Sequence, residues 1–122
     1  MAETFKVLGQ AGDVLVSAFA TNLYTVPEKP NVKFAPRDVS QALVSSIVVC
    51  NRDSGTGEYS IRVVPSGEDA ADKHIIFYAK SIAANSTHVI SMGLGLQVGD
   101  RIDANVSTSD TISMSAFGIE MV

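Results

Sequence analysis

Residues 43–52, Leu-Val-Ser-Ser-Ile-Val-Val-Cys-Asn-Arg, constrain the fold more than any other stretch. Ile47, Val48 and Val49 stand side by side, so β-branched groups fall on both faces of an extended chain. That pattern predicts a strand with a neighbour on either side and cover above and below. The rest of the chain reads as strands that pair with it or pack across from it.

Before it, residues 4–10 predict a short strand or an extended arm ending at Gly9. Residues 13–20 fit a strand or a short helix by period, with β-branched content favouring strand. Residues 22–26 predict a strand stopped by Pro27, which cannot donate to a ladder. Residues 27–41 carry Pro27, Pro30 and Pro36 and predict a long surface loop, with a brief strand at Val32-Lys33-Phe34.

After it, Asp53-Ser54-Gly55-Thr56-Gly57 is turn chemistry. Residues 58–64 alternate, with Tyr59, Ile61 and Val63 on one face, so 43–64 reads as a β-hairpin. Strands are expected at 73–80 and 87–92, then a glycine-punctuated loop over 93–100. Residues 101–107 place Ile102, Ala104 and Val106 inward. In 111–122 the apolar phase moves from Ile112, Met114 and Ala116 to Phe117, Ile119 and Met121, which predicts a bulge near 116–118. Seven to nine short strands without an amphipathic helix predict one all-β domain spanning 1–122. The expected architecture is an antiparallel two-sheet β-sandwich, jelly-roll-like, with an extended N-terminal arm; a closed barrel is the alternative.

Apolar residues make up 46% and charged residues 18%, a globular balance. The net charge of −4 and the scatter of lysine and arginine argue against nucleic acid. No apolar run approaches bilayer-spanning length, so no membrane partner is expected. The start, Met-Ala-Glu-Thr-Phe-Lys, lacks the pattern of a secretory signal. Cys50 is the only cysteine, which excludes an internal disulfide and suits a reducing cytoplasm.

No catalytic constellation can be assembled. His74 and His88 have no metal-ligand spacing, and no cofactor is expected. Cys50 lies in the most apolar strand and reads as a small buried hydrophobe. The serines form no Gly-x-Ser-x-Gly elbow. The acidic groups Glu68, Asp69, Asp72 and Asp100, Asp103 read as solvated loops rather than calcium sites. Candidate partner contacts are Phe5, Val7 and Leu8 in the arm, and Val32, Lys33, Phe34 and Arg37 in the long loop. There, apolar residues stand in polar, irregular surroundings.

Several segments stand in the same order as in a family of small tailed-bacteriophage virion proteins. They are Phe5-Lys-Val-Leu-Gly-Gln10, Leu23-Tyr-Thr-Val-Pro27, Val44-Ser-Ser-Ile-Val-Val-Cys-Asn-Arg52, Arg62-Val-Val-Pro-Ser-Gly67, Ile82-Ala-Ala-Asn85 and Phe117-Gly-Ile-Glu120. The chain resembles that family over nearly its whole length. In that family the Tyr-Thr-Val-Pro strand meets the central strand through a short turn; here 28–41 form a much longer insertion. The resemblance implies a non-enzymatic virion component, made in the host cytoplasm. The resemblance does not place it on the particle; a small single domain without fibre-like repeats points to many copies on the exterior, on the capsid surface or at the neck before tail fibre or baseplate. Its expected partners are other virion proteins, major capsid or neck and tail proteins; virion symmetry adds further copies of itself, a trimer first. The rival expectation is a carbohydrate-binding module contacting a host glycan. The lack of tryptophan, and the placing of Tyr24, Tyr59 and Tyr78 in strands, weigh against that reading.

Overall fold

The computed structural model describes residues 3–12, 14, 19, 21–27, 41–107 and 111–121, with only the backbone of 3–5. Eight strands are found among them: β1 Glu3–Ala11, β2 Thr21–Thr25, β3 Gln41–Asn51, β4 Gly57–Val64, β5 Ile75–Ile82, β6 Thr87–Gln97, β7 Arg101–Val106 and β8 Ile112–Met121. They form two four-stranded antiparallel sheets, ordered β1-β8-β3-β6 (sheet A) and β2-β7-β4-β5 (sheet B). β1 pairs with β8, β2 with β7, β3 with β6 and β4 with β5. This nesting of first with last is a long hairpin rolled into a sandwich, the eight-stranded jelly roll.

β3 is flanked by β8 and β6, as its apolar run predicts. Its cover is one-sided: Ala42, Val44, Ile47 and Val49 are buried, while Leu43, Val48 and Cys50 face outward and are half-buried. Cys50 is therefore not the core residue expected from sequence. The hairpin over 43–64 is also overturned. Both hydrogen-bonding edges of β3 are occupied, so β4 crosses to sheet B. Buried Asn51 holds the crossing, its Nδ2 donating to the carbonyls of Gly55 (3.0 Å), Ile82 (3.3 Å) and Ala83 (3.2 Å). Its Oδ1 accepts from Asp53 N–H at 3.0 Å.

Three further expectations change. Residues 4–10 take the strand alternative, at the sheet edge on β8, rather than that of an extended arm. The loop expected over 93–100 is mostly strand: β6 runs to Gln97, with Leu94 and Leu96 inward and Gly93 and Gly95 outward. The turn comes at 98–100, where Gly99 takes φ +87°. The strand runs on through both glycines, although its register against β3 shifts at Met92-Gly93, opposite Ser45. Finally, β8 alternates without a break, and the bulges lie on its neighbours, at Leu8 in β1 and Ser45 in β3. Ser45 Oγ donates to the Phe117 carbonyl at 3.2 Å across this irregularity.

The core fills the space between the sheets. Val44, Ile47, Val49, Ile112, Met114 and Ala116 come from sheet A, meeting Leu23, Tyr59, Ile61, Ile102, Ala104 and Val106 from sheet B. Each large aliphatic side chain buried this way contributes roughly 1.5–3 kcal/mol. The expectations for 13, 15–18, 20 and 28–40, including the loop strand at 32–34 and the insertion as a whole, lie outside the described residues.

Candidate functional site

The two outward faces of the sandwich differ in chemistry. On sheet B, Asp103 is 4% exposed and gathers cations. Its Oδ2 accepts from Arg62 Nε and Nη2 and from Arg101 Nε, each at 3.0 Å, and its Oδ1 accepts from Asn22 Nδ2 at 3.2 Å. The Arg62 guanidinium also lies 4.5 Å from the Phe19 ring centroid.

Sheet A is the opposite. Alternation from the buried positions places Val7, Phe117, Ile119, Leu43, Val48 and Val89 outward. Among the described side chains on this face none is charged. Val7 and Val89 are 47% and 65% exposed. The apolar residues share the face with uncharged polar ones, among them Gln10, Ser46, Ser91 and Ser115, and depletion of charge is the compositional mark of an interface core. The face ends at β6, whose outer edge pairs with no strand among the described residues. Over eleven residues β6 has no proline, lysine, arginine, aspartate or glutamate. Those are the residues that ordinarily keep an exposed edge from adding another strand.

Of the seven sequence-predicted contacts, Val7 lies on this face. Leu8, displaced by the bulge, turns inward and packs against the core. The side chain of Phe5, and Val32, Lys33, Phe34 and Arg37, lie outside the described residues. The structure thus adds Val48, Val89, Phe117 and Ile119 to Val7. Their sequence signal was present in β8, where apolar residues occupy the outward phase.

The titratable groups serve packing. Tyr59 OH meets His88 Nδ1 at 3.0 Å, and His74 Nδ1 accepts from Ala71 N–H at 3.0 Å. Hydrogen bonds from His74 and then Lys73 hold the exposed Glu68 carboxyl below the usual carboxylate range. No cluster of three or more histidine, cysteine, aspartate or glutamate residues suited to a metal occurs among the described residues. Inside the sandwich, Tyr24 OH donates to Glu120 Oε2 at 2.6 Å, and Lys6 Nζ pairs with Glu120 Oε1. Burial, then the Glu120 hydrogen bond and charge, push the Tyr24 hydroxyl far above its ordinary value. Burial also raises Tyr59.

Both folded-state values exceed the unfolded value near 10, so the native state retains protons that the unfolded chain releases. Their stabilisation is complete below about pH 10 and declines as pH rises above it. Each tyrosine steepens that loss by up to about 1.4 kcal/mol per pH unit. The urea midpoint is therefore expected to fall between about pH 9 and about pH 11, and to fall less steeply in Tyr24→Phe.

No protein-family model matches the chain, and no curated protein matches it.

Proposed function

We propose that this protein is a non-enzymatic structural component of a tailed-phage virion, assembling in many copies on the particle exterior through the outer face of sheet A. The observation that carries this reading is the uncharged, partly apolar face running from Val7 to Val89 and ending at β6, whose outer edge pairs with no strand among the described residues. Burying it against a neighbouring subunit removes exposed apolar area from water and satisfies the edge of β6 by strand addition. The jelly roll supports the reading by analogy, since viral capsid domains use it, although a fold alone assigns no function. So does the order of segments shared with small phage virion proteins. The capsid surface or neck is preferred, with other virion proteins and further copies of this chain as partners.

Purified particles provide the test. Quantitative mass spectrometry is expected to find the protein in fixed stoichiometry, with hundreds of copies indicating the capsid surface and a dozen or so the neck. Val89→Lys combined with Val7→Lys alters only exposed positions. It is expected to leave thermal stability within about 0.5 kcal/mol of the parent and to reduce incorporation at least tenfold. Absence from particles would overturn the virion assignment. Undiminished incorporation of the double variant would overturn the choice of face.

A further inference from the structure

We infer that the outer face of sheet B carries a binding site for one neutral sugar residue, built around Tyr78. The site faces away from the proposed assembly surface and is argued independently of it. In the β4–β5 pair, Tyr59 opposes Lys80 and Ile61 opposes Phe77, so Ser60 alone faces both Tyr78 and Ala79. This is a bulge, a device that re-aims side chains. Ala79 takes φ +48°, a left-handed conformation rarely adopted by alanine, and its N–H donates to Ser60 Oγ at 2.9 Å. The adjoining Tyr78 side chain is left 78% exposed, on the rim of a depression of about 180 Å³.

The floor and far wall are polar. Asn105 stands opposite Ser60 on β7, and Ser107 follows it. Ser107 is fixed to β4 twice: its N–H donates to the Glu58 carbonyl at 2.9 Å, and its Oγ accepts from Glu58 N–H at 3.0 Å. Asn105 Oδ1 is buried and, among the described residues, is the one buried side-chain polar atom without a hydrogen-bond partner. A buried acceptor in that condition calls for a donor. Glu58 adds an exposed carboxylate on the same wall.

These groups specify the ligand class. An exposed aromatic ring offers an apolar platform to the C–H face of a pyranose. The exposed Glu58 carboxylate accepts directly from a hydroxyl-bearing ligand, and Asn105 Oδ1, closed to solvent here, accepts from one once its amide turns toward the depression. The Glu58 charge disfavours phosphates and uronic acids. The depression is smaller than a drug-sized pocket, so it accommodates a single ring of a glycan.

The experiment is a ¹⁵N NMR titration of the full chain with neutral methyl hexosides and N-acetylhexosaminides. Saturable shifts are expected at the amides of residues 58–60, 78–79 and 105–107 for at least one of them. Tyr78→Ala should weaken that binding about tenfold, and Tyr78→Phe should retain it, since the ring face is what stacks. The matching hexuronic acid should bind more weakly than the neutral sugar, and Glu58→Gln should remove the difference. No saturable shift with any neutral glycoside overturns the proposal; so do shifts confined to other residues, or binding unchanged in a folded Tyr78→Ala. Particle incorporation should be unaltered in Tyr78→Ala, which separates a failure here from a failure of the assembly reading.

Discussion

Replacing Gly118 by alanine is expected to destabilise the protein by at least about 3 kcal/mol, lowering its melting temperature by on the order of 10 °C. Gly118 lies on the inward face of β8, opposite Lys6 of β1 and Val44 of β3. A Cβ there would fall within the van der Waals envelope of the Leu43 carbonyl, and it would stand 3.0 Å from Leu8 Cδ1. The obstacle is backbone on one side and a core-packed leucine on the other, so no rotamer change relieves it. Both neighbouring bulges, at Leu8 and Ser45, would have to be rebuilt. Gly93→Ala is the internal control. A Cβ at Gly93 meets nothing within 4 Å, and alanine in a compatible strand position is expected to change stability by about +0.5 kcal/mol or less. Urea unfolding of the two variants side by side checks the contrast. Equal midpoints would refute the claim that sheet A depends on this close approach.

Alternation along each strand was legible because the pleat imposes a period of two, and β7 turns Ile102, Ala104 and Val106 inward as read; Asp103, read as solvated, is instead covered on the outer face by its arginine partners. Pairing was not legible, because the partners lie far apart in sequence. β3 ends in turn chemistry and β4 begins after it, which is also how a hairpin looks. Only the occupation of both β3 edges by β8 and β6 sends β4 to the other sheet. In β8 the same limit acted differently. Phe117, Ile119 and Met121 were read as a change of phase, whereas they continue the outward phase of an unbroken strand. An apolar residue in an outward position signals either a bulge or a second apolar face, and sequence alone cannot choose between them. The Tyr78 site was hidden for a third reason. Its bulge rests on an alanine with positive φ, which no glycine or asparagine announces.

Asp103→Ala is expected to cost about 3 kcal/mol, although Asp103 belongs to neither the core nor the assembly face. The carboxylate is almost completely covered and answers two guanidinium groups on one oxygen. The Arg62 side chain is only 18% exposed and is held against Phe19, so losing the carboxylate strands a cation that water reaches poorly. Arg101 is less covered and can turn to solvent, so Arg101→Ala should cost well under half as much. Removing both members of the tighter pair provides the decisive measurement. Arg62→Leu with Asp103→Leu leaves no stranded charge and is expected to be less destabilised than Asp103→Ala alone, with a coupling of at least about 1 kcal/mol in the full cycle. Additive effects would mean that Asp103 acts through packing only. Coupling would mean that Asp103, Arg62 and Arg101 are committed to one another, which leaves the ligand-facing charge of sheet B to Glu58, at the other end of the same face.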